Sequence, residues 1–153
     1  MQEMKQYIKS YYDFWFGTTN LYENWAKKYG LTNISLFVLE TIYDLNGRCT
    51  AKDICERLLF PKQTVNSILK RFTESGWIVL QIAQQDKRNK VISLTPAGMR
   101  YADDILEKLY RLEEKAMQKL STQEREEMKK QNAKFLHMLQ QAMEEQMLEN
   151  QDK

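Results

Sequence analysis

The chain has 153 residues, 42% hydrophobic and 29% charged, which is enough apolar content for one domain with a buried core and too much for a disordered tail. No apolar run approaches the roughly 20 residues that cross a bilayer, and aromatic and charged residues interrupt the N-terminus where a signal peptide needs its apolar core, so a cytoplasmic protein with no membrane partner is expected. Net charge is only +2, but residues 48–100 hold ten Lys and Arg against four Asp and Glu, while the rest holds thirteen against seventeen, and a +6 middle between acidic flanks suits a polyanion.

Residues 4–28 fit one helix, with Met4, Tyr7, Ile8, Tyr11, Trp15, Tyr22 and Trp25 at helical spacing and a weak point for a kink at Gly17. In "YGLT", Gly30 suits a C-cap and Thr32 the next N-cap. Residues 33–46 form a helix that is apolar almost all round (Leu36, Phe37, Leu39, Ile42, Tyr43), as a helix through the core is, and Asn46-Gly47 stops it. "TAKDICERLLF" follows, with Thr50 and Asp53 as a shortened capping box and Ala51, Ile54, Cys55 and Leu58 on its buried side.

The stretch "PKQTVNSILKRF", residues 61–72, starts with Pro61 at the first helical position. Val65, Ile68, Leu69 and Phe72 make its apolar face, and the opposite face holds Lys62, Gln63, Asn66, Ser67 and Lys70, with Thr64 and Arg71 at its margins. No acid occurs in the stretch. A helix fits the major groove of B-DNA, whose base edges present donors and acceptors that amides, hydroxyls and cations read, while a carboxylate would repel the flanking phosphates. Two short helices joined by a tight turn are a helix-turn-helix. "WIVLQIAQ" (77–84) and "KVISLT" (90–95) then read as a hairpin, with Ile78, Leu80, Ile82, Ile92 and Leu94 inward. Lys87, Arg88 and Lys90 sit at its tip, where Arg88 suits the minor groove and Asp86 can hold its guanidinium. The last elements are helices over 96–120, opened by Pro96, and over 123–148, capped by Ser121 with Glu124. The second carries Met128, Phe135, Met138, Leu139, Ala142 and Met147 on its apolar side.

"DKRNKVISLTPAG" resembles the wing and exit signature of the MarR family of bacterial transcription regulators, D-x-R-x-x-x-x-x-L-T-x-x-G, with Asp86, Arg88, Leu94, Thr95 and Gly98 at the fixed positions. "KQTVNSILKRFTESGWI" resembles the family's recognition helix and glycine turn. The fold class is thus mainly α with a small β-hairpin wing: a winged helix-turn-helix over 33–100 and a helical dimerisation region over 1–30 and 101–148, within a single domain of residues 1–153. The resemblance implies a homodimer whose first and last two helices interleave, with two winged helices on successive major grooves of a palindromic operator. It implies a repressor in which Lys62, Gln63, Thr64, Asn66, Ser67 and Lys70 meet the major groove, Arg71 a phosphate, and Lys87, Arg88 and Lys90 the wing's share of double-stranded DNA. It also implies release by a small aromatic effector, for which Tyr11, Tyr12, Trp15, Tyr22 and Trp25 are candidate pocket residues beside their role in packing.

The peroxide-sensing branch of that family uses a cysteine in its first helix, and this chain has none before Cys49. His137 is the only histidine, so no multi-histidine metal site is expected, and no cofactor. No G-x-S-x-G, P-loop or C-x-x-C motif points to an enzyme. The competing reading is a winged-helix protein-interaction module without specific DNA binding.

Overall fold

The computed structural model describes residues 2–45, 47–82 and 90–149. In chain order the elements are α1 (Gln2–Lys27), α2 (Asn33–Leu45), β1 (Cys49–Thr50), α3 (Ala51–Leu58), α4 (Lys62–Glu74), β2 (Ile78–Ile82), β3 (Lys90–Leu94), α5 (Pro96–Met117) and α6 (Thr122–Glu149). Two compact units divide at Glu107.

In the first unit, α1 continues through Gly17, the weak point expected in it. The Thr18 hydroxyl donates back to the Phe14 carbonyl at 2.6 Å, which binds that turn into the helix. Gly30 ends the segment in the left-handed region (φ 73°), and the Leu31 amide reaches back to the Ala26 carbonyl at 3.1 Å. At the start of α2 the Thr32 hydroxyl accepts from the Ser35 amide at 3.2 Å while Ser35 Oγ accepts from the Thr32 amide at 2.8 Å. Glu23 reaches across from α1 to take the Asn33 amide at 2.8 Å, so a carboxylate meets the positive end of α2. That contact holds the Glu23 carboxyl below its ordinary value.

Leu36, Val38, Leu39 and Ile42 of α2 are fully buried, as a core helix requires. Around them close Ile54 of α3, Val65, Leu69 and Phe72 of α4, Ile78 and Ile92 of the sheet, and Ala102, Ile105 and Leu106 of α5. On α3 only Ile54 is buried; Ala51, Cys55 and Leu58 are half-buried. Its capping box forms as expected: the Asp53 amide donates to Thr50 Oγ1 at 3.2 Å, and Asp53 Oδ2 accepts from the Thr50 amide at 2.8 Å.

The sheet is antiparallel in the order β1-β3-β2, with Cys49 opposite Ile92, Ile78 opposite Leu94 and Leu80 opposite Ile92. The two-residue β1 has no sequence signal of its own; β3 recruits it as an edge. Leu80 departs from expectation. Alternation puts it on the face of Ile78, but there the face opens into a groove and Leu80 is 42% exposed.

Thr95 and Gly98 lock the exit of the wing to its entrance. The Thr95 amide donates to the Trp77 carbonyl at 2.9 Å, its hydroxyl to the Gly76 carbonyl at 2.6 Å, and the same hydroxyl accepts from the Gly98 amide at 3.0 Å. A side chain at Gly98 would lie 2.7 Å from the Trp77 carbonyl carbon. The threonine and glycine of the L-T-x-x-G stretch thus have physical reasons: one is a cap, the other leaves room for backbone. No helix among the described residues is long and apolar enough to cross a membrane.

In the second unit, the box at the start of α6 forms between Ser121 and Glu124: the Ser121 amide donates to Glu124 Oε2 at 2.7 Å and the Glu124 amide to Ser121 Oγ at 3.2 Å. Arg125 donates to the Met117 carbonyl at 3.2 Å across the same turn. No residue of α6 is buried. Leu136, Met138, Met143, Met147 and Leu148 are exposed along it.

Candidate nucleic-acid interface

The polar face of α4 is built by the burial of the opposite face. Burial of Val65, Leu69 and Phe72 turns Lys62, Gln63, Asn66, Ser67 and Lys70 outward, and these five line one shallow concave surface. Thr64 lies half-buried at its edge. The Ser67 hydroxyl donates to the Gln63 carbonyl at 2.9 Å, which orients its lone pairs outward as acceptors. Lys70 lies 3.9 Å from Glu74, a fully solvated pair one turn on that leaves the cation available to a stronger partner.

The N-terminus of α4 adds a feature that the pattern of side chains does not announce. Pro61 is the N-cap (φ −58°, ψ 141°), one position earlier than expected, and offers no side-chain cap. The first turn also holds no acid. The leading N–H groups of α4 therefore have no side-chain cap from the N-cap residue, the arrangement that receives a phosphate oxygen. The contrast with α3, sealed by its own box, is a difference of residue type: Thr50 there, Pro61 here.

The wing contributes Lys90, which is exposed at the start of β3. Lys90 and Lys70 border one groove between α4 and the sheet, floored by Leu69, Leu80 and Ile92 and edged by Asn66, with a volume of about 420 Å³. Cations from the two elements are thus brought together. Asp86, Lys87 and Arg88, the rest of the expected wing set, lie outside the described residues.

Arg71 has a use that the sequence does not reveal. Its Nη2 donates to the Gly30 carbonyl at 2.9 Å, at the far end of α1. The expected aromatic pocket residues separate into two sets. Tyr22 packs edge-on against Phe37 at 5.1 Å and Trp25 against Tyr29 at 4.7 Å, inside the chain. Tyr11 packs against Tyr12 and Trp15 along α1, and Tyr12 and Trp15 are exposed there together with Phe14 and Phe16. None of these rings lines the grooves beside α4.

Both cysteines are free thiols. Burial, with Asp53 nearby, pushes the Cys49 thiol up to about 12, so it is held protonated and unreactive. His137 is an exposed residue of α6.

The profile of the MarR family matches residues 29–89, the stretch from the end of α1 into the wing. The transcriptional regulator SarZ of Staphylococcus epidermidis is 32% identical over 77 residues, 50% of this chain and 51% of that protein, so the chain spans about half the length of the curated relatives it matches. Among solved structures, a MarR family regulator from Neisseria meningitidis superposes with a TM-score of 0.77 at 23% identity, covering 95% of this chain and 99% of the other. Staphylococcus aureus MepR in its DNA complex superposes with a TM-score of 0.74 at 23% identity, covering 87% and 97%. At that identity the superpositions establish the fold: a mainly helical chain with a three-stranded wing sheet.

Proposed function

We propose that this chain, whose residues 29–89 match the profile of the MarR family, is a sequence-specific DNA-binding regulator of transcription that acts as a homodimer on a palindromic operator. The observation that carries the reading is the outward face of α4 from Lys62 to Lys70, which holds no carboxylate. Its exposed amides, hydroxyl and lysines project from a buried apolar stripe, beside an uncapped helix N-terminus and a lysine of the wing. Gln63 and Asn66 are the residue types that bind adenine bidentately, Lys62 and Lys70 suit guanine or phosphate, and Thr64 and Ser67 serve either. Lys87, Lys90 and Arg88 belong to the wing's contacts, with Arg88 in the minor groove and Asp86 holding it. A dimer is supported by two separate surfaces: the apolar side chains exposed on α1 (Tyr7, Ile8, Phe14, Trp15) and those exposed on α6 (Leu136, Met143, Met147). Repression follows when the operator overlaps a promoter.

The groove between α4 and the wing is the best seat for a small aromatic effector. Leu69, Leu80 and Ile92 offer an apolar floor, and the rim carries Lys70 and Lys90 with one carboxylate, Glu74, which suits an aromatic ligand whose anionic group can take Lys70 from its exposed pair with Glu74. Asn66 and Lys70 belong to both the groove and the reading face, so occupancy competes with DNA.

The test is selection of tight-binding duplexes from a random pool, followed by fluorescence anisotropy and sedimentation. A dimer that binds a selected palindrome at least 1,000-fold more tightly than bulk DNA, with log affinity falling by about 0.9 per phosphate contact against log salt, is expected. Binding displaced equally by any duplex, or affinity indifferent to salt, overturns the reading in favour of a protein-interaction module.

A further inference from the structure

The C-terminal end of α1 and the reading helix are tied together by two donors. The carbonyls of Tyr29 and Gly30 lie in the turn that directly follows α1. The Tyr101 hydroxyl of α5 donates to the first at 2.7 Å, and Arg71 Nη2 of α4 donates to the second at 2.9 Å. The Tyr101 ring lies flat on Trp77 with centroids 3.9 Å apart. Trp77 in turn follows α4 through the Gly76 turn and packs on Phe72 at 5.4 Å. On the other side Trp25 packs on Tyr29. A continuous set of rings and two hydrogen bonds therefore runs from α1 to the last turn of α4. Arg71 is exposed and borders a cleft with Gln63, Thr64 and Ser67, yet its guanidinium is committed to a carbonyl of the turn after α1.

We propose that Arg71 and Tyr101 are positioning residues for DNA reading: they grip the end of α1 and set the orientation of α4, so that the seating of α1 in a dimer decides how α4 meets the groove. This rests on the DNA-binding reading above. It reassigns Arg71 from phosphate ligand to internal tie. Arg is suited to the role because its planar guanidinium makes a charge-assisted bond to a carbonyl at fixed geometry, which a flexible ammonium does not reproduce.

The test is a salt series of anisotropy measurements on the selected palindrome, using the full chain and the variants Arg71→Gln, Arg71→Lys and Tyr101→Phe. Circular dichroism first confirms that each is folded at the assay temperature, so that a stability loss alone does not register as lost affinity. All three variants are expected to bind about tenfold more weakly at every salt concentration, the loss of a well-placed hydrogen bond, with the wild-type log–log slope. Tyr101→Phe removes no charge and retains the stack on Trp77, so its loss reports the tie alone. A slope flatter by about 0.9 per protomer in Arg71→Gln, with Arg71→Lys near wild type, makes Arg71 a phosphate ligand and overturns the proposal. Wild-type affinity in Arg71→Gln or Tyr101→Phe overturns it as well. A wild-type chain without salt-dependent duplex binding overturns the functional reading and this inference together, and is recognised before any variant is measured.

Discussion

Replacing Gly98 with Ala separates local from tertiary control of this fold by the sign of its effect. Gly98 lies in the first turn of α5, and Ala is favoured over Gly inside a helix by about 1 kcal/mol. Helix propensity alone therefore predicts a more stable protein. The surroundings predict the reverse: an added Cβ would lie 2.7 Å from the carbonyl carbon of Trp77 and 2.9 Å from its Cα. These are backbone atoms that cannot swing aside, so α5 must move off the start of the wing. Overpacking of this kind costs about 1–3 kcal/mol. The movement also stretches the bond from the Gly98 amide to Thr95 Oγ1, worth about 1 kcal/mol as a cap. The net loss is roughly 2 kcal/mol, a fall in Tm of about 4–8 °C for a chain of this size. Urea and thermal unfolding at matched protomer concentration measure it. Gly17→Ala is the control: Gly17 is exposed within α1 with nothing within 4 Å of an added Cβ, so the same substitution should stabilise by up to about 1 kcal/mol. A Gly98→Ala protein as stable as wild type would refute the argument that the close approach to Trp77 dictates glycine.

Four further outcomes follow from particular residues. Thr50→Ala opens the box at α3 and should cost about 1 kcal/mol in urea unfolding, with the m-value unchanged. Glu23 has its carboxyl lowered from an ordinary value of 4.5 by the Asn33 amide, so its contribution is present above that value and disappears as pH falls through the lower folded value. The stability gap between wild type and Glu23→Gln should be widest near neutrality and close as pH falls below 4.5. A thiol-specific reagent at pH 8 should modify Cys55 in the native protein and leave Cys49 untouched until denaturant is added; early labelling of both would refute the burial of Cys49. On the DNA-binding reading, Arg88→Ala should weaken binding by about 1–3 kcal/mol and relax sequence preference in the minor groove, and unchanged affinity would remove the wing from the interface.

Much of the candidate site was legible in the sequence because it depends on local periodicity. The positions of Val65, Leu69 and Phe72 assign one face of α4 to the core, and the polar residues between them then have nowhere to go but outward. The boxes at Thr50–Asp53 and Ser121–Glu124 were legible for the same reason, since each is closed by residues three apart. Leu80 was misjudged because alternation names a face without saying whether anything covers it; here a groove does not. The helix continues through Gly17, where an added Cβ would meet nothing within 4 Å and the Thr18 hydroxyl donates back to the Phe14 carbonyl.

The sequence by itself determined the order of the helices and of the two wing strands, the capping boxes of α3 and α6 and the chemistry of the α4 face, because these depend on residues within one or two turns of each other. Only the tertiary structure decided the use of Arg71, the grip of Tyr101 on Tyr29, the capping of α2 by Glu23 and the demand for glycine at residue 98. Each of these joins segments 10 or more residues apart, the two grips on the α1 end 41 and 72. A hydrogen bond or clash across such a separation exists only after the core has set the elements against one another, and no pattern of neighbours along the chain encodes it.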